Sequence, residues 1–216
     1  MKALGKIKRA AEHALHWPAK FLRRGRLRNK SLTIISNDCW GSFMYQYFDM
    51  PFNSPFIGLF LTADDYLTLL EHPEILDTPP MMTDARHSRH AADYAHLRNY
   101  PLGVLPRGVE IHFLHYPDAE TALAKWNRRV RRIDWNNCLV KFSQGHDTGN
   151  EEVARFSALP YPHKVCLTSR RYDYPCAVWL NEFDGENYFV KSYWKVSLWH
   201  YDFAAAANAI GAAPEH

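Results

Sequence analysis

A layered α/β fold, with a mainly parallel sheet flanked by helices, is what this sequence predicts, on three observations. From residue 31 onward, short apolar or β-branched runs alternate with longer segments of helical spacing. Cap and turn residues fall between those runs, where an alternating fold needs them. Nearly half of the 216 residues are hydrophobic, enough to bury a core within one domain.

Taken in order, the first strand is expected at 32–36, the β-branched run "LTIIS", and the first helix follows at 42–48. A second strand is expected at 56–61, where "FIGLFL" is continuously apolar, and a helix at 63–71, capped by Asp64. Residues 72–108 are the least regular stretch and hold five prolines. A polar surface helix is expected there at 83–97. The next strand is expected at 109–115, "VEIHFLH", followed by a helix at 119–132 capped by Asp118. Strands at 138–143 ("CLVKFS"), 164–168 ("KVCLT") and 177–180 complete the pattern, with a helix at 151–159 that Pro160 and Pro162 bring to an end.

Charge separates the chain into two parts. The first thirty residues carry ten Lys and Arg against one acid, Glu12, so the net charge of +3 conceals an acidic remainder. Residues 1–30 are therefore read as a basic amphipathic arm and 31–216 as a single α/β domain. Ile7, Ala10, Ala11, Ala14 and Leu15 form an apolar stripe over 3–16, and Pro18 opens a further helical turn through Phe21 and Leu22. Such an arm suits an anionic membrane surface, although a solvated tail or a helix packed on its own domain accounts for the same residues. No apolar run reaches membrane-spanning length, and the N-terminus lacks the apolar stretch of a secretory signal, so a cytoplasmic protein, peripheral on the membrane through its arm, is expected. No nucleic-acid partner is expected.

Candidate chemistry follows from the rule that open α/β sheets bind ligands beyond the carboxyl ends of their strands. The stretches following the expected strands supply Asn37, Asp38 and Cys39, then His115 and Tyr116, then Gln144, His146 and Asp147, then Ser169, Arg170 and Arg171. Cys39 falls at the start of a helix, where unpaired N–H groups favour a thiolate, and His115 or His146 would serve as its base. The alternative is a half-buried thiol beside a helix cap. Asp38 is a candidate general base, though no Asp-x-Asp pair accompanies it. His112 and His115 alternate across one strand, so only one of them can face a given site. Arg170 and Arg171 suit an anionic group, whereas "RRVRR" at 128–132 reads as a solvated helix end.

Several chemistries lack their usual signals. Cys39, Cys138, Cys166 and Cys176 are too scattered for a zinc knuckle or a redox pair, and neither Gly-rich phosphate-loop motif occurs. Asp84, His87, His90, Asp93 and His96 recur every three residues, but on one helix that spacing brings only neighbouring pairs onto a common face. No metal is therefore assigned, and no cofactor is indicated.

Four segments carry a resemblance: "LTIISNDCWGSFMYQYFDMPFNSPFIGLFLTADDYLTLL", "VEIHFLHYPDAETALAKWNRRVRRIDW", "CLVKFS" and "LPYPHKVCLT". Together they resemble a bacterial family known as domain of unknown function 1919, whose members are often labelled exopolysaccharide biosynthesis proteins. The resemblance runs over residues 30–200 and implies an α/β fold and a role in surface-polysaccharide assembly. It supplies no established reaction. Its blocks include Asn37, Cys39, Trp40, Gly41, Asn53, Ser54, Pro55, His112, His115, Lys141 and Ser143. The His-rich stretch 84–96 and the Ala-rich tail depart from it, which argues against a shared metal site in that stretch.

The function expected is therefore a transferase acting on a carbohydrate or activated-sugar substrate. Its concrete form is acyl transfer to a sugar hydroxyl. Cys39, or a hydroxyl activated by His115, would attack, Asn37 would stabilise the oxyanion, and Lys141 or Arg170 would hold a phosphate. Glycosyl or phosphoglycosyl transfer from an activated sugar, with Asp38 or His115 as base, is the alternative. A third reading is a non-catalytic scaffold presenting Trp40, Trp126 and Trp135 to sugars.

Overall fold

The structure is a computed structural model, and it describes residues 25–94, 99–186, 189 and 192–211. The helices expected within the first 24 residues lie outside that range. The described chain runs β1 (Thr33–Ser36), α1 (Trp40–Tyr47), α2 (Ala63–Glu71), β2 (Met81–Asp84), β3 (Pro101–Val104), β4 (Glu110–His112), α3 (Ala119–Val130), β5 (Cys138–Ser143), α4 (Asn150–Ala158), β6 (Lys164–Thr168), β7 (Ala177–Trp179), α5 (Tyr193–His200) and α6 (Phe203–Ile210).

Four of these strands form an all-parallel sheet in the order β1-β5-β6-β7. Every residue of β1 and β5 is buried, as expected of parallel strands covered on both faces. Side-chain alternation divides the core. Ile35, Val140, Phe142 and Cys166 face a cluster built with Leu67 of α2, Trp126 of α3 and Phe156 of α4. Ile34, Leu139, Val165 and Leu167 face the opposite cluster, with Trp40 and Met44 of α1 and Phe203 and Ala207 of α6. Gly41 allows α1 to lie close on β1, because a Cβ at that position would stand 3.2 Å from Ile34 Cγ2.

Residues 72–108 depart from expectation. No helix spans the described part of 83–97. Instead β2 pairs antiparallel with β3, and β3 with β4, to form a second small sheet. The Asp84 side chain accepts from Arg86 N–H and caps a single turn (Ala85–His87), after which Ser88 is extended. Ser88 and the backbone of Arg89 then bond to Glu110, so tertiary hydrogen bonds displace the helix that local spacing favoured. The expected strand at 109–115 is shortened to β4 and belongs to this antiparallel sheet.

The expected strand at 56–61 reduces to one bridge, Phe60 to His112. Leu61 N–H nevertheless donates to the Asn37 carbonyl, so residues 60 and 61 join the small sheet to the end of β1. Helices α5 and α6 lie in the tail, where no element was expected. The Arg26–Lys30 end of the arm packs on α6. Leu27 is buried, Arg26 pairs with Asp202, and the Asn208 side chain accepts from Arg28 N–H. Among the described residues, no helix is long and apolar enough to cross a membrane.

Candidate functional site

Beyond the last β1–β5 register pair, Ser36 to Lys141, the Asn37 side chain continues the strand pairing. Its Nδ2 donates to the Ser143 carbonyl (3.1 Å), and its Oδ1 accepts from Ser143 N–H (2.9 Å). These two hydrogen bonds fix the chain direction at the strand mouth, from which Asp38 meets the start of α1. There Asp38 Oδ1 accepts from Trp40 N–H at 3.0 Å and from the Ser36 hydroxyl at 3.1 Å. Asp38 thus acts as an Asx-type cap on the start of α1.

Lys141 comes from β5 on the same face as Leu139, the apolar face beneath α1. Its side chain is 0 % exposed, and its Nζ donates to Asp38 Oδ1 at 2.6 Å. The ammonium also lies 5.7 Å from the centre of the Trp40 ring and 5.4 Å from that of Tyr193. From α5, the Tyr193 hydroxyl donates to Asp38 Oδ2 at 2.5 Å and accepts from Lys141 Nζ at 3.3 Å.

Burial pushes the Asp38 carboxyl upward, but the charge and hydrogen bond of Lys141, helped by Tyr193 and Trp40 N–H, outweigh it. The net effect holds the group below the ordinary carboxylate range. Burial, followed by the Asp38 charge, raises the Tyr193 phenol well above its ordinary value, so it remains a donor. The result is an ionised carboxylate clamped by a buried cation and a phenol, with 26 % of its side chain open.

That open side faces a cleft of about 720 Å³. Phe60, Tyr94, Phe189 and Tyr193 supply its aromatic walls, and Asn37, Ser143, Gln144 and His146 supply polar groups. Asp38, Asp93 and Asp147 add three carboxyl side chains, and no Lys or Arg lines the cleft among the described residues. Asp147 also accepts from Ala63 N–H at 2.6 Å and so holds the start of α2 against the rim.

The expected site residues do not all meet here. Cys39 sits at the N-cap of α1 as anticipated, but it lines a separate groove of about 270 Å³ that it shares with His115, Lys125 and Arg129. Its Sγ is directed at the Leu59 carbonyl at 3.8 Å. Burial, with the Asp38 charge beside it, pushes the thiol up to about 12, reversing the thiolate expected from the helix terminus. His115 is exposed on that groove and not at the mouth of the parallel sheet, because it sits in the turn after β4, which belongs to the antiparallel sheet.

Lys141 cannot hold a substrate phosphate, since it is wholly buried beneath Asp38. Arg170 and Arg171 are exposed after β6, outside the cleft lining. Asn53 lies away from the cleft, with its Nδ2 3.5 Å from the Lys30 carbonyl. Trp40 is buried and donates to Ser197 Oγ at 2.9 Å, and Trp126 is buried in the core, so neither can stack on a sugar; Trp135 is exposed. In "RRVRR", Arg129 is not solvated: it is buried and donates to the Tyr116 hydroxyl at 2.9 Å.

The residues recurring every three positions disperse. Asp84 pairs with Arg86, His87 Nδ1 is 3.3 Å from Thr83 Oγ1, and Asp93 lines the cleft. His90 turns towards Asp65, and His96 lies outside the described residues. Tyr193, Phe60 and Tyr94 were missed by sequence reasoning. The only sequence-level hint was for Phe60, next to a polar strand end; Tyr193 lies in a tail with no recognisable pattern.

Comparison with known proteins gives two findings. The model of the family described as "Domain of unknown function (DUF1919)" matches residues 12–205. An uncharacterized protein of Haemophilus influenzae is 28 % identical over 188 residues, covering 87 % of this chain and 86 % of that protein. The matched range takes in β1, the Asp38 turn, Lys141 and Tyr193, and with it the whole of the candidate site. On that extent of match, the chain belongs to the DUF1919 family.

Proposed function

We propose that this protein is a group-transfer enzyme of surface-polysaccharide assembly, with its sugar-containing substrate in the Asp38 cleft and Asp38 as the reacting carboxylate. The observation that carries this reading is the clamp itself. Lys141 and Tyr193 hold an ionised carboxylate with one face turned into a cleft walled by aromatic rings and hydrogen-bonding groups. Aromatic faces and amide or carboxylate edges match the apolar faces and hydroxyl rims of sugar rings.

The depressed pKa suits Asp38 to facing positive charge that develops on a sugar carbon, as an ionised group beside an oxocarbenium-like centre. His146, on the same lining, is positioned to exchange the proton of the attacking or leaving hydroxyl. With three carboxyl groups and no cationic side chain among the described lining residues, the cleft favours a neutral glycan over a free sugar nucleotide. Sugar transfer is accordingly preferred over acyl transfer at Cys39. The basic residues ahead of residue 25 suit an anionic membrane surface, where such glycans are assembled.

The test is complementation of a deletion strain with wild type, Asp38→Asn, His146→Gln and Cys39→Ser, scored by mass analysis of the surface glycan. Asp38→Asn is expected to abolish one defined sugar substituent and Cys39→Ser to restore it. Loss with Cys39→Ser alone would return the chemistry to the thiol. Full restoration by every variant would leave the cleft as a glycan-binding surface without catalysis.

A further inference from the structure

Behind the cleft wall, three side chains converge between α2, β4 and the turns that follow β2, and a fourth, His112 of β4, lies beside one of them. Asp65, His90 and Glu110 each present a ligand atom within 4.8 Å of the others. His90 Nε2 is 3.6 Å from Asp65 Oδ2. Asp65 and Glu110 are buried, 1 % and 6 % exposed. Two carboxylates withdrawn from water beside an imidazole are costly unless a cation joins them.

An independent observation comes from His112. It is 0 % exposed, its Nε2 has no hydrogen-bond partner, and that atom lies 3.8 Å from Glu110 Oε2. A buried ring nitrogen left unsatisfied forfeits its hydration without a replacement bond, so its presence calls for an explanation. Its geometry is held firmly. Nδ1 is 2.9 Å from the Tyr100 hydroxyl, and the ring stacks on Phe60 with centres 4.3 Å apart. With the proton on Nδ1 facing Tyr100, Nε2 presents a lone pair to the cluster, which is how a metal-ligating histidine is oriented.

The remaining groups are oriented in the same way. Thr62 Oγ1 donates to Asp65 Oδ2 at 2.9 Å, and Glu110 N–H donates to Asp65 Oδ1 at 3.1 Å. Ser88 Oγ and Arg89 N–H donate to the two Glu110 oxygens at 2.5 and 3.0 Å. One cation already reaches the cluster: Arg89, whose guanidinium donates to Asp65 Oδ1 and, through Nε, to His90 Nε2 at 3.1 Å. Its side chain is 44 % exposed, so it can withdraw from His90 into solvent.

We propose that Asp65, His90, Glu110 and His112 form a binding site for a divalent first-row metal ion, for which Zn²⁺ is the natural fit. Asp65, His90 and Glu110 supply three ligand atoms, and His112 Nε2, 3.8 Å from Glu110 Oε2, would close a four-coordinate zinc site without a solvent position once the ion draws the ligands together, which would make the site structural. Arg89 is the competing cation that the ion displaces from His90. The ion would tie the turn carrying Asp93 and Tyr94 to α2 and β4, bracing one wall of the Asp38 cleft. This inference rests on the cluster alone and holds whatever reaction the cleft performs.

The test uses the full chain, stripped with a chelator, dialysed, and titrated with ZnCl₂ by calorimetry. One equivalent is expected to bind and to raise Tm. His90→Ala, a change at a partly exposed position, should weaken binding by at least about tenfold, and Arg89→Ala should tighten it. Loading with Co²⁺ gives a second readout that needs no variant: intense visible bands are expected from a four-coordinate site. Absence of a stoichiometric site, binding unchanged by His90→Ala, or only the pale spectrum of six-coordinate Co²⁺ would overturn the proposal and leave Arg89 as the resident cation of a closed ion-pair cluster.

Discussion

The Lys141 ammonium lies 2.6 Å from Asp38 Oδ1 at the end of the parallel sheet, with the lysine side chain wholly withdrawn from solvent. A central-strand lysine on an apolar face would be a liability without that partner. The pairing therefore makes stability and site geometry depend on the same two residues. Lys141→Met is expected to cost about 3 kcal/mol, because it leaves the carboxylate enclosed without its counter-charge. Asp38→Asn should cost a similar amount for the converse reason, and the double variant should recover part of the loss. Urea unfolding of the four proteins measures the coupling; simple additivity would show that the two groups act independently.

The depressed Asp38 pKa sets the sign of a pH effect. A carboxyl whose native pKa lies below its unfolded value of about 3.9 contributes stability above that pH and loses it as the pH falls through the native value. The difference in unfolding free energy between wild type and Asp38→Asn should be flat from about pH 5 to about pH 8 and should shrink below about pH 4. A difference that persists unchanged into strong acid would mean that the fold does not hold the Asp38 pKa below its unfolded value.

Cys39 is expected to be a slow nucleophile. With its thiol pushed up to about 12, the thiolate fraction at neutral pH is roughly a thousandfold below that of an ordinary cysteine. Iodoacetamide labelling read by peptide mass should show little modification of Cys39 between about pH 7 and about pH 9 in the native protein, and rapid modification after unfolding. Fast native labelling at neutral pH would restore the thiol as a candidate nucleophile.

Gly41 tests how tightly the site is built. A Cβ there would already press on Ile34 Cγ2 at 3.2 Å and on Ser36 Cβ at 3.4 Å, and valine adds two further methyl groups. Gly41→Val should destabilise the protein by about 1–3 kcal/mol, as overpacking does, and should lift α1 away from the Asp38 turn. Measured in urea, an unchanged midpoint would show that β1 and α1 have slack between them.

Much of the scaffold was legible along the chain. β5, β6 and α2 fall where their patterns place them. "CLVKFS" and "KVCLT" are short apolar runs bounded by turn residues, and α2 spans its expected residues, although its cap is Thr62, which accepts from Asp65 N–H, and not Asp64, which lies within the first turn. The strand-end rule also reached Asn37, Asp38, Gln144, His146 and Asp147, all on the cleft lining, and the family resemblance added Ser143. β2 and β3 were hidden because "MMTD" and "PLGV" are four-residue strands without alternation, stabilised by partners about twenty residues away. Tyr193 was hidden for a related reason: its role depends on α5 reaching the mouth of the sheet, where Asp38 lies 155 residues earlier in the chain.

The sequence by itself determined the class of the fold, the parallel strands and the polar residues at their ends, because hydrophobic periodicity and capping act over a few residues. Tertiary structure alone decided which of those residues share a site. It separated Cys39 from Asp38 although they are adjacent, since neighbouring side chains leave a turn in different directions. It joined Asp38 to Lys141 and Tyr193, because a buried charge is tolerated only where distant parts of the chain bring its partners together.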